Sequence, residues 1–177
     1  IDVTNPARPE ELVGTVPSMG KADLNAVFAA AEAGAKVWRR TGRLARGTVL
    51  LNAATLIRER KQELIELIVA EMGKTKAEAT GEVTKTAEFF EYYGSMGRDD
   101  SGQYLPDARP NTFASRFVEP LGVVLLITPW NDPLLTPARK LGPALISGNA
   151  VIMKPATVTP LVALALAEIL NEAGLPA

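Results

Sequence analysis

Two polar side chains stand directly after the two most apolar stretches of the sequence. Asn131 follows the run GVVLLITPW at 122–130, and Lys154 follows NAVIM at 149–153. A side-chain amide can donate a hydrogen bond to a ligand, and a lysine can bond ribose hydroxyls or phosphate. Because open α/β sheets bind ligands at the carboxyl ends of their strands, this placement predicts a shared binding crevice.

Each of these residues also has a purely structural interpretation. Asn131 can be the N-cap of a following helix, with Trp130 in the core and the neighbouring prolines setting the turn. Lys154, taken alone, is an ordinary surface lysine. No GxGxxG fingerprint stands between a strand and a helix, so the usual pyrophosphate loop is absent and the spacing leaves both interpretations open.

The amino-acid composition excludes several kinds of catalytic group, metal site and binding partner. The 177 residues contain no Cys and no His, which excludes disulfides, thiol nucleophiles, Cys/His zinc sites and imidazole catalysis within them. The acidic turn Arg98-Asp99-Asp100 has too few ligands for a calcium site, and no metal is expected. A net charge of −1 argues against binding nucleic acid or an anionic membrane through overall charge. With no signal-like N-terminus and no membrane-length apolar run, a soluble cytoplasmic protein is expected.

The elements that must position the two side chains follow from the spacing of apolar residues. Helical periodicity predicts three helical stretches, at about 21–40, 43–73 and 76–93. The second is expected to break near Lys61 and to end at Gly73, where a glycine can adopt a left-handed cap. On the third, Glu82 and Lys85 are interpreted as an exposed pair.

Extended structure is expected before and after these helices. The prolines of residues 1–20 forbid a long helix there and favour an extended, turning segment. Alternation around Gln103–Leu105 and Thr112–Glu119 predicts a hairpin, with Pro106–Asn111 as its loop.

The last part of the sequence predicts a strand, helix, strand, helix unit. Gly122–Thr128 and Asn149–Met153 are expected to be parallel strands buried on both faces, because they are apolar without alternation. Helices over Asn131–Ser147 and Thr159–Ala173 follow them. A two-stranded parallel sheet is not a viable core by itself. We therefore expect the first part of a longer fold, the alternative being a complete small α+β domain.

Several segments carry a resemblance to a known family. They are PWNDPLL, KLGPALISGNAVIMKPA and TPLVALALAEILNEAGLPA, together with EMGK at 71–74, GEV at 81–83 and the opening VTNPARPEELVGTVP. Over essentially the whole chain they resemble the aldehyde dehydrogenase superfamily. PWN followed, after a helix, by GNxVxxKP is the most specific of these features.

The resemblance implies an α/β fold class, as an incomplete aldehyde dehydrogenase fold. Residues 1–100 would form the helical N-terminal part of the cofactor domain, and 101–119 a hairpin of the kind used for oligomerisation. Residues 120–177 would form the first half of a Rossmann-like parallel sheet that binds NAD or NADP. A homo-oligomer acting on a small aldehyde is implied, with no nucleic-acid or membrane partner.

The implied activity is NAD(P)-dependent oxidation of an aldehyde to a carboxylic acid. In this family a Cys attacks the carbonyl, a hydride leaves to the nicotinamide, and a Glu activates the deacylating water. Both motifs lie later in family members, so the 177-residue chain alone is expected to be inactive. The alternative is a non-catalytic truncated relative that serves as a cofactor-binding or assembly module. The resemblance implies Asn131 as the oxyanion donor and a cofactor site lined by Ile127, Thr128, Pro129, Trp130 and Lys154.

One position of the cofactor motif bears on the choice of cofactor. Many NAD-preferring members of the family carry a Glu three residues after this Lys, where it accepts hydrogen bonds from both ribose hydroxyls. Thr157 stands there in this sequence. A threonine removes the carboxylate that would repel a 2′-phosphate, so NADP is favoured.

The helix after PWN bears on the substrate. Members with hydrophobic aldehyde tunnels often carry aromatic residues there, whereas this chain has Asp132, Leu135, Thr136 and Arg139. Helical spacing places Asp132, Thr136 and Arg139 on one face, with Leu135 beside it as an apolar wall. Arg139 is predicted to pair with the carboxylate of an acid semialdehyde, and Asp132 to hold the guanidinium. Alternatively, Asp132 only occupies the first helical turn and Arg139 is simply exposed.

Overall fold

The computed structural model describes residues 1–99 and 102–176 and consists of six strands and six α-helices within those ranges. The strands are β1 Asp2–Asn5, β2 Arg8–Thr15, β3 Gly102–Leu105, β4 Ala114–Phe117, β5 Val123–Ile127 and β6 Ala150–Lys154. The helices are α1 Leu24–Arg40, α2 Arg43–Glu59, α3 Lys61–Met72, α4 Lys76–Ser95, α5 Leu135–Ile146 and α6 Pro160–Glu172. Asp100 and Ser101, at the predicted boundary between the helical region and the hairpin, lie outside the described residues, as does Ala177.

The opening segment forms an antiparallel hairpin, which is more regular than the extended and turning chain expected from its prolines. Strands β1 and β2 pair from Asp2 opposite Thr15 to Asn5 opposite Arg8, with irregular register between them. Val3 and Asn5 are buried while their neighbours are exposed. A strand at the edge of a sheet tolerates proline, which explains Pro9 within β2.

The three predicted helical stretches are confirmed, and together they form most of the core. The predicted break near Lys61 falls at Arg60, and α3 ends at Gly73, whose φ of 78° lies in the left-handed region. Helix α2 packs so closely on α4 that a Cβ at Gly47 would lie 2.5 Å from the carbonyl oxygen of Gly94. The largest fully buried side chains of these helices are Leu50, Ile57, Leu64, Ile68 and Phe90.

The predicted parallel pair is confirmed. Strands β5 and β6 pair in parallel from Val123 opposite Ala150 to Ile127 opposite Lys154. The expectation that both faces are buried is wrong for this chain, because Leu125 and Ile127 are each 60% exposed. Within the described ranges no element covers that face of the sheet. The apolar side chains of β5 on that face therefore remain exposed.

The intervening helix begins later than predicted. The sequence predicts a helix from Asn131, whereas α5 begins at Leu135 and a non-helical loop of bends and turns precedes it. The next strand and helix, β6 and α6, begin and end within one residue of their predicted bounds. The difference places Asn131 in a loop between β5 and α5.

The predicted hairpin at 101–119 is present as β3 and β4, which pair antiparallel from Gly102 opposite Phe117 to Leu105 opposite Ala114. Its aromatic side chains face solvent: Tyr104 and Phe113 contact each other edge to face at 4.8 Å between ring centroids. Both are about three-quarters exposed, at 76% and 74%. Such a surface is typical of an element that contacts another chain.

Candidate active site

The ends of the two parallel strands bring the predicted site segments together. Ile127 and Lys154 are the last register pair, and the backbone N–H of Thr128 donates to the carbonyl of Lys154 at 3.2 Å. Thr128 is buried, whereas Trp130 and Asn131 beyond it are exposed. The loop after β5 and the loop after β6 therefore form one crevice, as the strand-end pattern predicts.

Lys154 and Thr157 are adjacent in this crevice. The ammonium of Lys154 donates to the carbonyl oxygen of Pro155 at 2.8 Å and to the hydroxyl of Thr157 at 3.4 Å. Thr157 and Trp130 also line a cavity of about 480 Å³ that extends to strand β1. An exposed ammonium next to a hydroxyl, with no carboxylate from Lys154 to Thr157, fits a ribose or its phosphate.

The structural alternatives for Asn131 and Trp130 are wrong. Helix α5 has Leu134 at its N-cap and no side-chain cap from that residue, so Asn131 does not cap it. Trp130 is 56% exposed rather than part of the core. The carbonyl oxygen of Asn131 accepts a hydrogen bond from Lys74 at 2.8 Å, and the residue is exposed.

The helix N-termini at the crevice are capped from elsewhere in the fold. Glu82 Oε1 accepts the backbone N–H groups of Leu134 and Leu135, at 2.8 and 3.1 Å. A carboxylate at this position satisfies orphan donors and complements the helix dipole. Glu82 is only 4% exposed, so its interpretation as part of an exposed pair with Lys85 is wrong. Its role as a helix cap explains why the carboxylate is buried.

Glu71 caps the second of these helices in the same way. Its two carboxylate oxygens accept the backbone N–H groups of Leu161 and Val162 at the start of α6, at 2.6 and 3.0 Å. Burial raises the pKa of Glu71 above its ordinary value, although both N–H bonds act in the opposite direction. Both helices of the parallel unit thus begin on carboxylates from the N-terminal helices.

Lys74 connects Glu82 to the loop that carries Asn131. Its ammonium lies 2.6 Å from Glu82 Oε2 and 2.7 Å from Asp132 Oδ1, in addition to its bond to the Asn131 carbonyl. Burial alone would lower the pKa of Lys74, but the hydrogen bonds and charges of Asp132 and Glu82 outweigh burial and raise it. The ammonium is therefore charged at neutral pH.

The partner predicted for Arg139 is wrong. Asp132 precedes α5 and pairs with Lys74, so it does not hold the guanidinium of Arg139. Arg139 is exposed, and its guanidinium lies 5.1 Å from the centre of the Phe89 ring, within the range of a cation–π contact. Thr136 remains close to Asp132 through a backbone hydrogen bond of 3.0 Å. Leu135 is 5% exposed, and it packs in the core instead of forming an open apolar wall.

Four residues of this region were not identified as site residues from the sequence. Glu71, Lys74 and Glu82 lie in the EMGK and GEV segments of the resemblance, which is the signal that could have drawn attention to them. Lys140, next to Arg139, donates to the carbonyl of Ile127 at 2.9 Å and so holds the end of strand β5. Across residues 1–99 and 102–176, no cluster of acidic side chains could hold a metal ion.

The fold contains a parallel strand–helix–strand–helix unit, in which the loops after the two adjacent strands lie next to each other. A family model described as the aldehyde dehydrogenase family matches residues 1–177. The chain belongs to the aldehyde dehydrogenase family. This confirms both the family and the incomplete α/β fold predicted from the sequence.

The chain is similar to curated relatives that are considerably longer. It is 44% identical over 175 residues to an α-ketoglutarate semialdehyde dehydrogenase of Haloferax volcanii, covering 99% of this chain and 36% of that protein. It is 40% identical over 177 residues to the succinate-semialdehyde dehydrogenase [NADP(+)] GabD of Escherichia coli, covering 100% and 36%. The chain thus spans about a third of the length of the relatives it matches.

Solved structures agree with this assignment. The chain superposes on an E. coli NADP-dependent enzyme with a TM-score of 0.95 at 40% identity, covering all of this chain and 37% of that one. A betaine aldehyde dehydrogenase from Staphylococcus aureus, solved in complex with NAD+, gives a TM-score of 0.94 at 31% identity, covering 99% and 36%. In the described part of this chain, no helix is long and apolar enough to cross a membrane.

Proposed function

We propose that this chain belongs to an NAD(P)-dependent dehydrogenase that oxidises acid semialdehydes to dicarboxylic acids. The observation that carries the proposal is Arg139, which lies on α5 directly after the crevice loop. Its guanidinium contacts the face of Phe89, and no carboxylate of the described residues lies within ion-pair distance of it. A guanidinium that contacts a ring through its face keeps its N–H edge available for a bidentate carboxylate.

The other site residues would serve the oxidation itself. Asn131 would donate its side-chain amide to the aldehyde oxygen as negative charge develops there. Lys154 and Thr157 would bond the adenine-side ribose or its phosphate, and Ile127, Thr128, Pro129 and Trp130 would line the same site. The bound nicotinamide supplies the hydride acceptor. The 177 residues contain no Cys, so we assign the nucleophile, and with it the Glu that activates water, to other parts of a longer protein.

The names of the relatives support an acidic substrate. Besides the two relatives above, the chain is 38% identical to a glutarate-semialdehyde dehydrogenase of Pseudomonas putida. The substrates in these names all carry a carboxylate as well as the aldehyde. A betaine aldehyde dehydrogenase of Bacillus subtilis is 37% identical, but its named substrate is a cation. The positive charge of Arg139 would repel a cation and attract a carboxylate.

Thr157 and the hairpin extend the proposal to the cofactor and the assembly. Thr157 favours NADP, because no carboxylate stands where a 2′-phosphate would bind.

The exposed aromatic side chains of β3 and β4 would contact a neighbouring subunit in a homo-oligomer. We propose the division 1–100, 101–119 and 120–177 for the helical part, the assembly hairpin and the cofactor half.

Replacing Arg139 tests the proposed substrate class. In the full-length enzyme, Arg139→Leu should lower kcat/KM for succinic semialdehyde by about tenfold or more, since a hydrogen bond to a charged group contributes ~1.5–3 kcal/mol. It should leave kcat/KM for butanal, a neutral aldehyde of the same length, almost unchanged. Arg40→Leu, which removes an exposed arginine at the end of α1, is the matched control. Equal losses on both aldehydes would show that Arg139 is structural.

A further inference from the structure

A cluster of three charged side chains lies directly beneath the loop between β5 and α5. Lys74 is the centre of this cluster, and Glu82 and Asp132 are its two carboxylates, at 2.6 and 2.7 Å. The side chains of Lys74 and Glu82 are 11% and 2% exposed, and that of Asp132 is 35% exposed. A lysine ammonium has three N–H donors, and the carbonyl of Asn131 accepts the third at 2.8 Å.

The cluster holds the carbonyl of Asn131 and the loop residues that follow it, up to the start of α5. Lys74 holds the carbonyl of Asn131 itself and the side chain of the next residue, Asp132. Glu82, through its other oxygen, holds the N–H groups of Leu134 and Leu135. A loop without regular secondary structure is therefore attached to Lys74, which lies between α3 and α4, and to Glu82 on α4.

We infer that Lys74 is a positioning residue, which orients Asn131 for oxyanion stabilisation by anchoring its carbonyl through the Lys74–Glu82–Asp132 cluster. This inference rests on the proposed role of Asn131. Preorganised donors are effective because they are already aimed at the developing charge, so a small displacement of the donor costs rate.

Stability alone does not account for the cluster. A buried ion pair is often no more stabilising than apolar side chains of similar volume, because desolvation offsets much of the Coulomb attraction. Glu82 could cap α5 without a lysine, and Asp132 could face solvent. The contact that only Lys74 makes is the one to the Asn131 carbonyl, and this contact links the cluster to the proposed chemistry.

A double-mutant cycle between Lys74 and Asn131 in the full-length enzyme tests this inference. The measurement is the first-turnover rate of nicotinamide reduction with saturating NADP and succinic semialdehyde, so that slow product release does not hide the chemical step. The four enzymes are the wild type, Lys74→Met, Asn131→Ala and the double variant. Lys85→Met, which removes an exposed lysine on α4, is the matched control and should react like the wild type.

Asn131→Ala should lower this rate by about a hundredfold, as expected for the loss of one oxyanion donor. Lys74→Met should lower it by about tenfold or more in the wild-type background, since misplacing a catalytic group by an ångström has effects of that order. In the Asn131→Ala background it should lower the rate by less than about twofold, because coupled residues are not additive. The dissociation constant for NADP should stay unchanged throughout.

The two ideas fail in different ways. If Asn131→Ala reacts at the wild-type rate, the proposed oxyanion role is wrong. If Asn131→Ala is slow but Lys74→Met costs nothing, or costs the same in both backgrounds, the oxyanion role stands and the positioning role is overturned. Should Lys74→Met fail to fold, Lys74→Arg is used in the same cycle. It keeps the positive charge, and its bulkier guanidinium should slow the reaction only when Asn131 is present.

Discussion

Asp132 and Arg139 have opposite charges but bind different partners. Helical spacing predicts that they lie on one face of a helix, but Asp132 lies before the first residue of α5 and bonds Lys74 instead. Lys74 is largely buried and so attracts a carboxylate more strongly than an exposed guanidinium does. Arg139 instead remains exposed and contacts the ring of Phe89.

Thr157 is the residue that we expect to set the preference for NADP over NAD. Thr157→Glu in the full-length enzyme should shift the ratio of kcat/KM values for NADP and NAD towards NAD by about tenfold or more, because a carboxylate repels the 2′-phosphate and accepts from ribose hydroxyls. Thr157→Val is the matched control, since it removes the hydroxyl without adding charge. An unchanged ratio for Thr157→Glu, or a wild type that strongly prefers NAD, would contradict the assignment.

The helices and strands themselves could largely be predicted, whereas the contacts between their ends could not. Helical periodicity places α1 to α4, and two apolar runs place β5 and β6, because these patterns depend on local spacing. The caps of α5 and α6 come from Glu82 and Glu71, which are distant in sequence. No local pattern distinguishes such a carboxylate from an exposed one, which explains why Glu82 was misinterpreted.

The start of α5 was mispredicted for a related reason. Asn131 is a good N-cap residue by type, and the apolar spacing after it is helical. Lys74 instead bonds the carbonyl of Asn131, and Glu82 bonds the N–H groups of Leu134 and Leu135, where α5 begins. Tertiary contacts therefore decide the conformation of the loop between β5 and α5 against the local preference.

Glu71, which caps α6, should make the free energy of unfolding depend on pH. Burial raises the pKa of Glu71 above its value in the unfolded chain, although the N–H groups of Leu161 and Val162 oppose this. The folded state thus holds this proton more tightly than the unfolded state. Glu71 favours folding most below its unfolded pKa of about 4.3, and that contribution is lost as the pH rises through the folded pKa.

Urea unfolding of the wild type and Glu71→Gln over a series of pH values measures this effect. The free energy of unfolding of the wild type minus that of the variant should fall as the pH rises from about 4, by at most ~1.4 kcal/mol per pH unit, and then level off. Glu66→Gln, which removes an exposed carboxylate from the same helix, is the matched control. A difference that increases with pH would mean that folding lowers the pKa of Glu71.

At the scale of the whole molecule, the chain has more apolar surface than its own elements cover. Leu125 and Ile127 on β5 and the aromatic residues of the hairpin are exposed. The relatives are about three times as long as the stretch matched here. The prediction that β5 is buried on both faces is therefore wrong for residues 1–99 and 102–176, in which the parallel sheet has only two strands.

At the scale of the whole enzyme, we propose that this crevice serves the oxidation of aldehydes that already carry a carboxylate. The most direct test is the rate of nicotinamide reduction by the full-length enzyme with succinic semialdehyde and with butanal, each with saturating NADP. We predict that kcat/KM is higher for succinic semialdehyde by about tenfold or more, as one charged hydrogen bond to Arg139 would give. Equal values, or a preference for butanal, would contradict the claim.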